Sequence, residues 1–263
     1  MNILEAIVAQ KQIEVAAVKQ RTSIADLQQM PYFKRNIISL KNILQKGNTS
    51  GIIAEFKRKS PSKGFINATA NVVTVTNAYA QFAAGISVLT DAPFFGGSFD
   101  DLQQARIQSV PILRKDFMID AYQVYETKAI GADVILLIAA CLIPKQVKEL
   151  ATIAKQLGLE VLLEIHGADE LQHICDEVDM VGVNNRNLKT FEVNIETSLQ
   201  LIQQIPNNKV AITESGVASV ETVCQLKSVG YKGFLMGENF MKHVHPDNAF
   251  IQFVEQLNQT SCG

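Results

Sequence analysis

Glu55 and Lys57 stand two apart at the end of a short apolar segment, Ile52-Ile53-Ala54. Strand side chains repeat every two residues, so an acid and an ammonium face the same way. The chain then enters Arg58-Lys59-Ser60-Pro61-Ser62-Lys63-Gly64, whose hydroxyls, fixed proline and permissive glycine suit a turn wrapped around an anion. A plain strand followed by a solvated basic loop has the same composition, because short Lys/Arg runs are common on surfaces. Lys115 and Glu164 form a second candidate pair, as acid and base. Desolvation lowers the pKa of a lysine towards usefulness and raises that of a carboxylic acid. Structural ion pairing is the competing use of both.

Two later stretches suit a phosphate. Glu214-Ser215-Gly216-Val217 and Met236-Gly237-Glu238-Asn239 each follow an apolar run and place a glycine beside the start of an expected helix. Free N–H groups and the positive end of the helix dipole bind a phosphate dianion there. The Glu238 carboxylate is an awkward neighbour for a dianion, so only its backbone N–H is counted. Acyl transfer lacks its ingredients: there is no G-x-S-x-G, and His166, His173, His243 and His245 fall outside the strand ends or just past them. His166 reads as a loop or rim residue. No carboxylate or histidine cluster has metal-ligand spacing.

Elements able to gather these groups follow from periodicity. A helix covers residues 1 to about 20, with apolar positions Ile3, Leu4, Ile7, Val8, Val15 and Val18 on one stripe, and a short helix is expected near 37–44, beyond the breaker Pro31. Apolar runs at 52–56, 86–89, 111–113, 134–138, 160–163, 180–183, 210–212 and 234–236 read as strands. Helix-period segments lie between and after them at 71–83, 99–108, 121–130, 144–157, 168–175, 195–205, 217–229 and 247–257. Near-continuous apolar strands alternating with helices belong to a parallel sheet covered on both faces, and eight such units imply a (β/α)₈ TIM barrel. Gly85, Gly131, Gly158 and Gly230 read as helix C-caps. A doubly wound open sheet is the runner-up, but no G-x-G-x-x-G follows the first strand. No linker divides the chain, so residues 1–263 are taken as one barrel domain, of which about 1–48 is an N-terminal helical extension. The active site then belongs at the carboxyl ends of the strands, where Thr90, Asp91, Arg114, Asp116, Asn184 and Arg186 join the residues already named.

Composition narrows the partners. Lys plus Arg (24) nearly balances Asp plus Glu (26), leaving no field of one sign for nucleic acid or a membrane surface. Cys141, Cys175, Cys224 and Cys262 are scattered without C-x-x-C spacing and read as reduced packing residues. The N-terminus lacks a secretory apolar region, and the apolar run 134–143 is too short to span a bilayer, so a cytoplasmic protein acting on a small molecule is expected.

Five ordered motifs resemble the indole-3-glycerol-phosphate synthase family: Ile53 through Ser62, Phe94-Phe95-Gly96-Gly97-Ser98, Pro111 through Phe117, Gly182-Val183-Asn184-Asn185-Arg186 and Glu214-Ser215-Gly216. The resemblance implies ring closure of 1-(2-carboxyphenylamino)-1-deoxyribulose 5-phosphate, with loss of carbon dioxide and water, to indole-3-glycerol phosphate in tryptophan biosynthesis. It implies no cofactor and no metal, with a phosphosugar as substrate; whether the chain is a monomer or pairs with another pathway enzyme stays open. By its match Lys115 is the general acid on the ribulose carbonyl and Lys57 holds the substrate carboxylate. Glu164 stabilises developing positive charge and helps the dehydration, with Glu55, Asn184 and Ser215 assisting. The base for the last proton stays open. Arg186 lies beside the anthranilate part, and Phe95, Phe117 and Leu188 line its pocket. Ser60, Pro61, Ser215, Gly216, Gly237 and Glu238 belong to the phosphate end. Asn187 stands where an aspartate is expected, Asp91 where a glutamate is, and the sequence has no tryptophan. Two alternatives remain: another phosphosugar barrel, such as a phosphoribosylanthranilate isomerase-like enzyme with a Cys/Asp pair at strand ends, and a non-catalytic phosphosugar-binding protein on the same fold.

Overall fold

The computed structural model describes residues 3–188 and 190–260. Eight strands form the barrel: β1 Ile52–Phe56, β2 Gly85–Leu89, β3 Ile112–Lys115, β4 Val134–Ile138, β5 Glu160–Ile165, β6 Met180–Asn184, β7 Val210–Glu214 and β8 Gly233–Met236. All pair in parallel in chain order, and β8 closes on β1, with Ile53 opposite Leu235. Three helices precede the barrel: α1 Ile3–Arg21, α2 Ile24–Gln29 and α3 Leu40–Lys46. The outer layer holds α4 Val72–Phe82, α5 Ala92–Phe95, α6 Phe99–Ala105, α7 Ala121–Ala129, α8 Pro144–Gln156, α9 Glu196–Leu201, α10 Val220–Ser228, α11 Glu238–Met241 and α12 Pro246–Gln259. The segment expected to be a helix over 168–175 is a 3₁₀ helix, Ala168–His173. The loop after β1 folds into a small hairpin, Lys59–Ser60 against Gly64–Phe65.

Period-two alternation divides the core. Outward residues such as Ala54, Val88 and Val161 pack under the helices, while Ile53, Leu113, Val134, Leu136, Leu162, Met180, Ile212 and Leu235 fill the barrel interior. Helix α3, capped by Ser39 and ended by Gly47 in the left-handed region, presses Leu40 and Leu44 into that interior from below. This explains Gly85, expected to end a helix. It opens β2 without a left-handed φ, and a Cβ there would stand 2.9 Å from Leu40 Cδ1. Gly131, Gly158 and Gly230 do take positive φ.

Helix α1 is bound to the barrel by charge as well as by apolar contact. Lys11, almost fully buried, places Nζ 3.0 Å from both Asp91 Oδ2 and Asp116 Oδ1. Asp91 also accepts from Phe94 N and so caps α5, work that its short side chain suits. Cys141 and Cys175 are free thiols, whereas Cys224 is in a disulfide, against the reading of all four cysteines as reduced. Spacing along a chain does not show which cysteines the fold brings together, and Cys262 lies outside the described residues. Among the described residues no helix is long and apolar enough to cross a membrane.

Candidate active site

The same alternation decides which side chains reach the barrel mouth. Glu55, Lys115, Glu164 and Glu214 lie two residues beyond Ile53, Leu113, Leu162 and Ile212, so they point inward one layer above the core. They line a cavity of about 450 Å³. Lys115 Nζ lies 2.8 Å from Glu164 Oε2 and 2.8 Å from Glu214 Oε2. Gly182 leaves room for this arrangement, since a Cβ there would be 2.5 Å from Glu214 Oε1. Lys57 Nζ pairs with Glu55 Oε1 at 2.7 Å.

Electrostatics divide these groups by role. Burial alone would depress Lys115, but Glu164, Glu214 and Glu55 more than reverse it and hold the ammonium above the usual lysine range. The lowered pKa expected from desolvation is therefore corrected: Lys115 is a firmly held cation. Burial also pushes Glu164 up, and Lys115 and His166 overcome it, holding the carboxylate well below its ordinary range. Burial, opposed by Lys115 and helped by the Glu164 charge, lifts Glu214 to about 7. One cation thus holds one fixed anion and one carboxyl that exchanges a proton near neutrality, the separation that acid–base chemistry needs.

The other residues singled out from the sequence line the same cavity: Ser60 and Pro61 from the hairpin loop, Phe95, Phe117, Asn184, Arg186, Leu188, Ser215, Gly216, Gly237 and Glu238. The Phe95 and Phe117 rings form one wall, with centroids 6.0 Å apart. Asn184 Oδ1 accepts from Arg186 N at 3.1 Å. Glu238 turns its carboxylate to Lys63 Nζ, 2.5 Å away, with Arg186 Nη2 at 3.9 Å. Ile3, Leu4 and Ile7 of α1 supply the aliphatic edge where the chain has no tryptophan to offer. Asn187 Oδ1 accepts from Thr190 N and shapes the loop beyond β6.

Three expectations change. Ser215 and Gly216 take φ of 64° and 75°, which a helix cannot continue, and α10 begins only at Val220 under a Ser219 cap. The first phosphate cradle is therefore loop backbone, whereas Gly237 does stand directly before α11. Arg114 faces away from the mouth into the helix layer, 2.8 Å from Glu126 and stacked over Phe99, as its odd spacing from Lys115 requires. His166 does lie in the loop after β5, as expected, but half-buried against the catalytic cluster rather than on the rim. It lies two beyond Glu164, hence on the same side, with Nε2 3.3 Å from Glu164 Oε1 and Nδ1 3.3 Å from Glu170 Oε2. That spacing was the available signal for it, and the burial of Glu214 had none.

The family model for indole-3-glycerol phosphate synthase matches residues 4–253. The chain is 46% identical to an indole-3-glycerol phosphate synthase of Bacteroides thetaiotaomicron, over 97% of this chain and 99% of that one. It is 43% identical to one of Polynucleobacter necessarius, over 94% and 97% respectively. Among solved structures, a mutant tryptophan synthase alpha-subunit from the hyperthermophile Pyrococcus furiosus superposes with a TM-score of 0.62 at 18% identity, covering 81% of this chain and 99% of that one. That likeness concerns the barrel fold.

Proposed function

The chain belongs to the indole-3-glycerol phosphate synthase family, and from this we infer how its cavity performs the family reaction. That reaction converts 1-(2-carboxyphenylamino)-1-deoxyribulose 5-phosphate to indole-3-glycerol phosphate, carbon dioxide and water in tryptophan biosynthesis. The observation that carries our assignment of roles is Lys115 held between Glu164 and Glu214 inside the cavity.

Lys57 takes the substrate carboxylate, and Lys115 donates to the ribulose carbonyl oxygen. The ring carbon bearing the carboxylate attacks the carbonyl carbon, and the electron pair displaced onto oxygen collects a proton from Lys115. A cation aimed at a developing oxyanion in a dry site favours the transition state over the ground state. Carbon dioxide leaves and returns its bonding pair to the ring. The new hydroxyl then departs as water after taking a proton, while the nitrogen lone pair leaves a positive charge facing the ionised Glu164. Loss of a ring proton completes the indole. Glu214, lifted to about 7, is the group we assign to that proton exchange, with Glu55, Asn184 and Ser215 assisting. Arg186, Phe95, Phe117 and Leu188 hold the aromatic part. The phosphate rests on Ser60, Pro61 and the backbone of Ser215, Gly216, Gly237 and Glu238. Every group named belongs to one chain, so a cytoplasmic monomer with one phosphosugar substrate satisfies this reading.

Mixing the protein with the carboxyphenylamino-deoxyribulose phosphate and following indole fluorescence tests it, against a background kept low by the absence of tryptophan. A rising indole signal is expected. Substrate that binds and stays unchanged would instead indicate a non-catalytic phosphosugar-binding barrel.

A further inference from the structure

Beside the catalytic cluster a half-buried histidine, His166, stands between two acids. His166 follows β5 directly, and its backbone N–H donates to Glu170 Oε2 at 2.6 Å. Its ring bridges Glu170 on the 3₁₀ helix and Glu164 on the strand, at 3.3 Å from each. Glu164 uses its other oxygen, Oε2, for Lys115. Charges therefore alternate along a continuous row: Glu170, His166, Glu164, Lys115, Glu214. Neither oxygen of Glu164 is left to turn towards the barrel wall.

We propose that His166, held by Glu170, is a positioning residue that clamps Glu164 from behind and keeps it ionised for the reaction. The proposal rests on the role given to Glu164 above. Without His166, Oε1 of Glu164 would lose the cation 3.3 Å from it, and a buried carboxylate with one charge partner fewer either swings or protonates. The other titratable groups near the row do not replace it. The Cys141 thiol, on the turn after β4, is pushed up to about 12 by burial and by Glu164 and Glu170, and so stays neutral. His173 spends Nε2 on Leu142 O and Nδ1 on Glu170 O. Burial would lower His166, but Glu164 and Glu170 reverse it to about 10, so the imidazolium persists across the neutral range.

The test compares His166→Asn, Glu170→Gln and Glu164→Gln, singly and in pairs, by kcat, KM and the pH dependence of kcat. His166→Asn is expected to lower kcat about 10- to 100-fold, the order that a misplacement of about an ångström costs, with KM changed less than about 3-fold. Its acid limb should move up towards neutrality as Glu164 loses its imidazolium. Glu170→Gln leaves the ring in place and lowers the His166 pKa, so its kcat should fall earlier as pH rises. It keeps the test decisive should His166→Asn fail to fold. Because His166 acts through Glu164, adding His166→Asn to Glu164→Gln should cost nothing further. Near-normal kcat with unmoved pH limbs in both His166→Asn and Glu170→Gln, alongside an inactive Glu164→Gln, overturns the proposal. Full turnover by Glu164→Gln instead overturns the role of Glu164 itself.

Discussion

Lys115 and Glu214 share a contact of 2.8 Å, yet the two respond to it in opposite senses. The lysine is held protonated, while burial, with the like charge of Glu164, lifts the carboxyl to about 7 against the pull of the cation. A proton-exchanging limb near pH 7 is therefore expected in the pH profile of kcat. It belongs to the coupled cluster rather than to an isolated acid. Glu214→Gln preserves the shape of the side chain and removes its titration. We expect kcat to fall about 10²- to 10⁴-fold and that limb to vanish. A pH–rate profile of both proteins checks this, and a limb persisting at 7 in the variant would reassign it.

Lys11 is a structural counterpart to Lys115. It is buried against Asp91 and Asp116, and its loss takes from both buried carboxylates the cation they share. Lys11→Met should lower stability by about 3–5 kcal/mol, the usual cost of breaking a buried pair from one side. The pH dependence follows from Asp116. Burial raises its pKa, but Arg114 and Lys11 outweigh burial and hold it low, so its stabilisation is present above the ordinary aspartate pKa and is lost on acidification. The gap between wild type and variant in urea unfolding should hence be widest at neutral pH and narrow below about pH 4. A gap independent of pH would remove Asp116 from the account.

Much of this arrangement was legible because the barrel obeys a simple period. Each apolar run located its strand, and the polar residues at or just past its carboxyl end located Glu55, Lys115, Glu164 and Glu214. Strand ends were drawn short at Lys115, Glu164, Asn184 and Glu214, which lie inside β3, β5, β6 and β7 although a hydrophobic pattern ends before them. Arg114 was grouped with Lys115 by adjacency, when alternation alone sends them to opposite faces. Gly85 could not be read from its surroundings in sequence, because the side chain that demands a glycine, Leu40, arrives from forty-five positions earlier. The pKa of Lys115 was misjudged for a related reason. Desolvation is a local property, but Glu164 and Glu214 join the lysine only when the barrel closes.

Leu40 separates stability from catalysis. It plugs the barrel end opposite the mouth and is almost fully buried. Leu40→Ala should cost about 2–5 kcal/mol, combining lost transfer energy with the cavity left beside Gly85 of β2. Thermal unfolding should shift down by several degrees while kcat and KM at moderate temperature stay as in the wild type. A changed kcat would show that the plug is coupled to the mouth after all.

Gly237 links the proposed phosphate cradle to the Lys57–Glu55 pair. A Cβ at this position would lie 2.7 Å from Glu55 Oε1 and 2.8 Å from Glu55 Cβ. Glu55 is almost fully buried and bound to Lys57, so it has little space to retreat. Gly237→Ala should therefore act at both ends of the substrate. It displaces the N–H groups at the start of α11 and turns Lys57 away from the carboxylate it receives. We expect KM to rise at least about 10-fold and kcat to fall with it, since a 1 Å error in placement is costly to the chemistry. Gly158→Ala is the control. Gly158 has a positive φ of 71° with nothing near its Cβ direction, so its replacement should cost about 1 kcal/mol of stability and leave both kinetic constants alone. Competition by inorganic phosphate separates the two effects at Gly237: weaker inhibition places the damage in the cradle, whereas unchanged inhibition with lower kcat places it at Glu55 and Lys57.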